Sequence, residues 1–153
     1  MEPYKIKKLD FEEYNKCSNI WDMDKQPKMA ETFYEELVSG NRVTFICIKE
    51  NTFIGEGSLV FKNTDPHYTI PNKRIYLSRM IVKEEYHNRG IGGMLLQYLT
   101  DYALQLGYEE VTLGVDTDNM HARHLYEKNG FTEVLFIGAD QYGEYVKLLK
   151  KLK

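Results

Sequence analysis

At 153 residues the chain has the length of one domain with one sizeable core, and its apolar and charged fractions are those of an ordinary globular protein. The net charge of −3, spread over interleaved acids and bases, excludes a general polyanion binder and with it nucleic acid as a partner. No apolar run approaches the roughly 20 residues that span a bilayer. The opening MEPYKIKKLDFEEY has no signal-peptide core, so a cytoplasmic location without membrane contact is expected.

YKIKKL, residues 4–9, alternates and reads as a first strand. Asp10 stands as an N-cap before a helix with Phe11, Tyr14, Cys17 and Ser18 on one face. Pro27 opens a second helix that stops at Gly40. VTFICIK (43–49) and FIGEGSLVFK (53–62) form a hairpin across Glu50-Asn51-Thr52, followed by a polar loop (63–73) and the apolar strand RIYLSRMIV (74–82). After Gly90, apolar residues at 91, 94, 95, 98, 99, 102, 103 and 106 recur at helical spacing until Gly107. A strand (109–116), a short helix capped by Asn119 and ended by Gly130, and two strands around residues 139–142 complete the chain. The order predicts an α/β fold: one domain, residues 1–153, with a mixed sheet and helices on both of its faces. Cys17 and Cys47 are far apart in no metal-ligand spacing and read as two buried free thiols.

HNRGIGG, residues 87–93, is where chemistry is expected. A strand that runs into a glycine turn and then a helix presents unpaired amides, a positive dipole end and no Cβ atoms in the way, which suits an anion such as phosphate. Arg89 adds a full charge. A nucleotide-triphosphatase loop needs Lys-Ser/Thr after its last glycine, and this chain has Gly93-Met94. A dinucleotide fingerprint needs a further glycine at position 95, which is Leu.

His87-Asn88-Arg89-Gly90-Ile91-Gly92 resembles the Arg/Gln-x-x-Gly-x-Gly/Ala loop of the GNAT family of N-acetyltransferases, which move acetyl from acetyl-CoA to an amine. Val82, five residues earlier, matches the Val that ends the family's preceding strand. Asn119, Ala122, Leu125, Tyr126, Gly130 and Phe131 match its Asn-x-x-Ala-x-x-Leu/Phe-Tyr-x-x-x-Gly-Phe segment. The resemblance is strongest over residues 74–131. It implies a mostly antiparallel mixed sheet of about seven strands with about four helices, and a splayed pair of parallel strands holding CoA. His87 departs from the family's usual Arg or Gln: a neutral imidazole donates one hydrogen bond and carries charge only when protonated.

The resemblance implies a set of roles. Residues 88–93 (Asn88, Arg89, Gly90, Ile91, Gly92, Gly93) cradle the pyrophosphate with their backbone amides, with His87 alongside. Met80 and Val82 bond the pantetheine arm as an added strand would, and the Ile81 amide polarises the thioester carbonyl. Asn119 bonds the same arm or serves as a helix cap. Tyr126 is the general acid for the departing thiolate, or else a core tyrosine.

Read from the residues themselves, Glu56 between two glycines is either the general base, drawing the proton from the amine through water, or a solvent-facing strand residue. Ser78, Arg79 and Asp116 are further polar groups near strand ends. The resemblance implies that the acceptor is selected by the loop 21–28 and the last hairpin, 138–145, where Asp22, Asp24, Asp140 and Glu144 either draw a cationic amine, with Trp21 and Tyr142 as walls, or are solvated surface charges. The expected acceptor is a small polar or cationic amine, or a peptide N-terminus. His121 and His124 are three apart on a helix without further ligands, so no metal is expected. The last strands offer edges for a homodimer. The competing classes are a non-catalytic acetyl-CoA-binding module and a nucleotide-phosphate protein.

Overall fold

The computed structural model describes residues 4–153. Seven strands form one sheet: β1 (Lys5–Lys8), β2 (Arg42–Lys49), β3 (Thr52–Val60), β4 (Arg74–Val82), β5 (Glu110–Asp116), β6 (Glu133–Asp140) and β7 (Gly143–Lys151). Their spatial order is β1-β2-β3-β4-β5-β7-β6. The helices are α1 (Pro27–Ser39), α2 (Ile91–Gln105) and α3 (Met120–Lys128), with short 3-10 segments at Phe11–Asn19, Met23–Lys25 and Glu84–Tyr86. The sheet is mixed, as expected: β1–β2, β2–β3, β5–β7 and β6–β7 are antiparallel, and β4 and β5 are parallel. The parallel register pairs Arg74, Ile75 and Tyr76 with Glu110, Val111 and Thr112, the first three residues of each strand. No helix among the described residues is long and apolar enough to cross a membrane.

The chain divides into two compact units. One holds the residues up to Val60 with Arg79–Leu99, and the other holds Phe61–Ser78 with Thr100–Lys153.

In the first unit the β2–β3 hairpin is covered on both faces. Its turn places Glu50 and Asn51 at φ 50° and 66°, the two positive values a tight two-residue hairpin turn demands. Ile46 and Phe53 face a cluster with Leu9, Cys17, Ile20 and Trp21, on which Phe33 and Leu37 of α1 pack. Cys47 and Ile54 face a second cluster with Ile91 and Leu95 of α2. Adjacent residues 46 and 47 thus point to opposite faces, as the pleat requires. The register skips at this point: Cys47 pairs with Gly55 and Ile48 with Phe53, so Ile54 is an extra residue in β3. A bulge of this kind resets which face each later side chain addresses.

The segment expected as an α-helix after Asp10 is a 3-10 helix, with the Asp10 carboxylate accepting from the Glu12 amide at 3.0 Å. Three residues per turn stack Phe11, Tyr14, Cys17 and Ile20 on one ridge, so Cys17 and Ile20 are buried and Ser18 is exposed. In the second unit, β5, β7 and β6 form an antiparallel ribbon. Thr112 Oγ1 donates to Tyr68 O at 2.7 Å, and Arg74 pairs with Glu110 at 2.9 Å, fixing the loop before β4.

β3 approaches α2 closely at one glycine. A Cβ on Gly57 would lie 2.5 Å from Leu99 Cδ1, and Leu99 is fully buried. Gly57→Val is therefore expected to destabilise by about 1–3 kcal/mol through overpacking. Urea unfolding of Gly57→Val, Leu99→Ala and the double variant checks this: the loss in the double variant should be smaller than the sum of the two single losses.

Candidate functional site

The glycine stretch has the geometry of an anion cradle. β4 closes at Lys83, whose amide donates to Ile54 O at 2.8 Å, and the Glu84–Tyr86 turn leads to His87. Asn88 and Gly90 take φ values of 63° and 80°. At Gly90 that left-handed value is the reason for glycine, because an added Cβ would meet nothing within 4 Å. The first helical bond of α2 runs from the Met94 amide to Gly90 O at 3.1 Å, so the amides of Ile91, Gly92 and Gly93 have no partner inside the helix. Residues 87–90 are exposed, and the Arg89 guanidinium lies over the Tyr86 ring at 5.2 Å. His87 uses Nε2 to donate to Val82 O at 2.7 Å. The imidazole thus ties the loop back to the end of β4, a task that the loop pattern alone did not announce. Met80 and Val82 pack toward α2, and Ile81 packs on the opposite cluster with Trp21.

On that opposite face sits a buried carboxylate. Glu56 is 3% exposed, which removes its reading as a solvent-facing residue. The extra residue Ile54 is the cause: Ile54 and Glu56 are two apart in β3 yet address opposite faces. Trp21 Nε1 donates to Glu56 Oε1 at 3.0 Å, and the Cys17 thiol also bonds the carboxylate. Arg79 Nε stands 3.9 Å from Oε2. Burial pushes the Glu56 carboxyl above its ordinary range, against the opposing pull of Arg79, Trp21, Arg42 and Cys17. The same burial pushes the Cys17 thiol far up, so Cys17 is an inert proton donor here. Both cysteines are free and buried, as expected.

Trp21, Asp22 and Asp24, neighbours in the chain, line one surface cavity of about 400 Å³ with Ser18, Asn19, Ile20 and Met23. Asp22 and Asp24 are exposed, and Trp21 is 6% exposed with its N–H committed to Glu56, so it offers the cavity an edge rather than an open wall.

In the second unit, Asn119 caps α3 by accepting from the Ala122 amide at 3.2 Å, and among the described residues its side-chain N–H donors have no partner. Tyr126 is 9% exposed, meets Phe131 edge to face at 6.0 Å, and is held above the ordinary phenol range by burial. Tyr142 is 83% exposed at the β6–β7 turn, where its amide donates to Asp140 at 2.8 Å. His121 and His124 are exposed, and no group of three metal-ligating side chains occurs among the described residues.

Residues 5–131 match the Acetyltransferase (GNAT) family. The chain belongs to this family. It is 35% identical over 107 residues to the N-acetyltransferase YhfO of Bacillus subtilis strain 168, a span of 68% of each chain. It is 32% identical over 69 residues to the spermine/spermidine N(1)-acetyltransferase of the same strain, covering 43% of this chain and 45% of that one. A GNAT family acetyltransferase from Elizabethkingia anophelis, solved with acetyl-CoA bound, superposes with a TM-score of 0.73 at 16% identity over 97% and 98% of the two chains. The fold expected from the sequence is therefore the one observed, and the protein is an acetyl-CoA-dependent N-acetyltransferase.

The basic run KLLKKLK, residues 147–153, reads from the sequence as a solvated edge, but its first residue, Lys147, is 7% exposed in the acetyltransferase. Lys147 pairs with Asp65, donates to His67 Nδ1 at 3.2 Å, and lies 4.8 Å from the Phe136 ring. The available signal was a lysine inside the apolar run YVKLL, where a cation must find partners from a distant loop.

The Trp21–Glu56 bond yields a test of this geometry. Trp21→Phe leaves the buried carboxylate one donor short and should cost about 1–3 kcal/mol near neutral pH. The Glu56 carboxyl is already raised in the folded state, so its contribution to stability is full below the unfolded value and is lost as pH rises through the folded one. Denaturant unfolding should show a Trp21→Phe deficit that is small near about pH 5 and grows toward about pH 8. A deficit independent of pH would mean that the indole acts by packing alone.

Proposed function

We propose that this N-acetyltransferase moves acetyl from acetyl-CoA to a primary amine by direct attack on the thioester, and that the acceptor is a small polar amine. The carrying observation is the left-handed Gly90 loop at the start of α2, with amides that have no partner inside the helix, in a chain whose residues 5–131 match the family. Amides of residues 88–93 hold the pyrophosphate of CoA, with Arg89 supplying charge. His87 braces the loop through Val82 rather than acting as the cation that the family's usual Arg would be. Backbone groups of Met80 and Val82 bond the pantetheine arm, and the Ile81 amide is the donor assigned to the thioester oxygen as charge develops. Asn119 caps α3 with its oxygen and offers its amide N–H to the same arm.

Tyr126 holds a proton for the departing sulfur. Burial keeps its phenol protonated beyond the ordinary range, so it remains a donor throughout the physiological range. Glu56 takes the proton released by the amine, through water, and its raised proton affinity suits that task better than an ordinary carboxylate would. Asp22 and Asp24 beside the Trp21 cavity attract the ammonium form of the acceptor. The spermine/spermidine N(1)-acetyltransferase, a relative over part of the chain, supports a small amine over a peptide N-terminus.

Two variants test the reading by thiol release from acetyl-CoA over a panel of amines. Tyr126→Phe should lower kcat by about 100-fold or more with CoA affinity held within about threefold. Tight CoA binding with no amine turned over, in both wild type and variant, would favour a binding module. Gly90→Val forces a β-branched residue to φ 80° and puts methyl groups into the open space of the loop. It should weaken CoA binding by about tenfold or more, near 1.4 kcal/mol, with an unchanged circular dichroism spectrum. Unaltered affinity would remove the loop from the CoA site.

A further inference from the structure

Two arginines flank Phe33, and they are used differently. Arg42 lies over the Phe33 ring at 3.9 Å and donates to Glu36 Oε1 at 3.0 Å. Arg79 lies over the Trp21 ring at 4.5 Å and 5.7 Å from the Phe33 ring. Its guanidinium lies over the Trp21 ring, yet among the described residues no oxygen accepts from it at hydrogen-bond distance. Nε is buried without a partner and stands 3.9 Å from Glu56, and Nη1 reaches only the Met29 sulfur at 3.6 Å. Glu56, the obvious carboxylate, is bonded by Trp21 and Cys17 instead. A guanidinium offers five N–H donors in a rigid plane, and the buried Nε–H left without an acceptor is costly unless something else supplies one. The side chain keeps 17% of its surface exposed, so a ligand can reach it.

We infer that Arg79 is a specificity-determining residue: it holds a carboxylate carried by the acceptor amine, so the acceptor class is an amino acid or a close analogue with both groups. The rings on which Arg79 lies limit its rotation, and its guanidinium fork suits planar, bidentate recognition, which a carboxylate matches. CoA is not the source of this anion. Arg79 packs with Trp21 and Phe33 on the α1 face of the first unit, whereas Met80, Val82 and Tyr86, which lead to the glycine loop, pack on the α2 face. The surroundings favour a single carboxylate over a phosphate dianion, because Glu56 stands beside Arg79 and Asp22 and Asp24 line the cavity that Trp21 borders. Those aspartates suit the ammonium end of the same molecule. Arg79 immediately precedes Met80 and Ile81, and consecutive Cα atoms are only ~3.8 Å apart, so an anchor there keeps a short acceptor close to the thioester-binding stretch.

This inference rests on the N-acetyltransferase reading, and its test separates the two. Free amino acids, their carboxamides, and diamines without a carboxylate are compared as acceptors by thiol release, for the wild type, Arg79→Met and Arg79→Lys. The binding of N-acetylated amino acids and of their carboxamides to the CoA-loaded protein is measured by calorimetry, which needs no turnover. The wild type should prefer acid over carboxamide by about tenfold or more in KM and in Kd. Arg79→Met should abolish that preference, and Arg79→Lys should restore part of it, since an ammonium keeps the charge but not the fork. Acid preference in binding with no amine turned over would keep the Arg79 site and sink the catalytic reading. Turnover of diamines or carboxamides at least as well as acids, or an acid preference unchanged in Arg79→Met, would overturn the inference. Thermal midpoints of both variants identify any loss that is only unfolding, and Arg79→Lys keeps the charge beside Glu56 should Arg79→Met prove unstable.

Discussion

Covering the β2–β3 hairpin on both faces is the constraint from which the first unit follows. Six successive residues of β2 and eight of β3 are buried, so this hairpin has no wet side on which to put polar groups. Glycines let α2 come close, and the 3-10 ridge with α1 closes the other face. Every polar side chain in the hairpin must then find a partner inside. Thr44 and Ser58 bond each other at 2.7 Å, and Glu56 is bonded by Trp21 and Cys17.

That same constraint produces the unusual electrostatics. A carboxylate in a dry layer is expensive, and the chain offsets the cost with an indole N–H, a thiol and nearby guanidinium groups rather than with one bidentate ion pair. The result is a carboxyl with raised proton affinity and an arginine whose donors are left over. Both are properties of reactive or recognising groups more than of structural ones. On the other side of the sheet, the loop into α2 has the opposite character: exposed backbone amides, a left-handed glycine and a histidine spent on holding the loop in place.

The second unit solves a parallel problem differently. Lys147 points from an apolar strand and is met by Asp65 and His67 from the loop before β4, with the rings of Tyr68, Phe136 and Tyr145 around its ammonium. The loop 63–73, a polar stretch with two prolines in the sequence, is thereby pinned to the sheet, and Tyr68 lies against Gly114 with no room for a Cβ between them.

The sequence by itself determined the elements, their order, the glycine loop and the Asn119–Phe131 segment, because these depend on local spacing: periods of two and 3.6, cap residues, and glycines where a backbone must turn left-handed. Trp21, Asp22 and Asp24 line one cavity because they are neighbours in the chain. Only the tertiary structure decided the partners of Glu56, Arg79, His87 and Lys147. The face that Glu56 addresses turns on one extra residue at Ile54, and strict alternation puts the two on the same side. A bulge leaves no mark in residue type, and neither does the choice of Trp21, 35 positions away, as the donor to that carboxylate. Long-range partners are set by which faces are buried together, and burial is a property of the packed chain rather than of any segment.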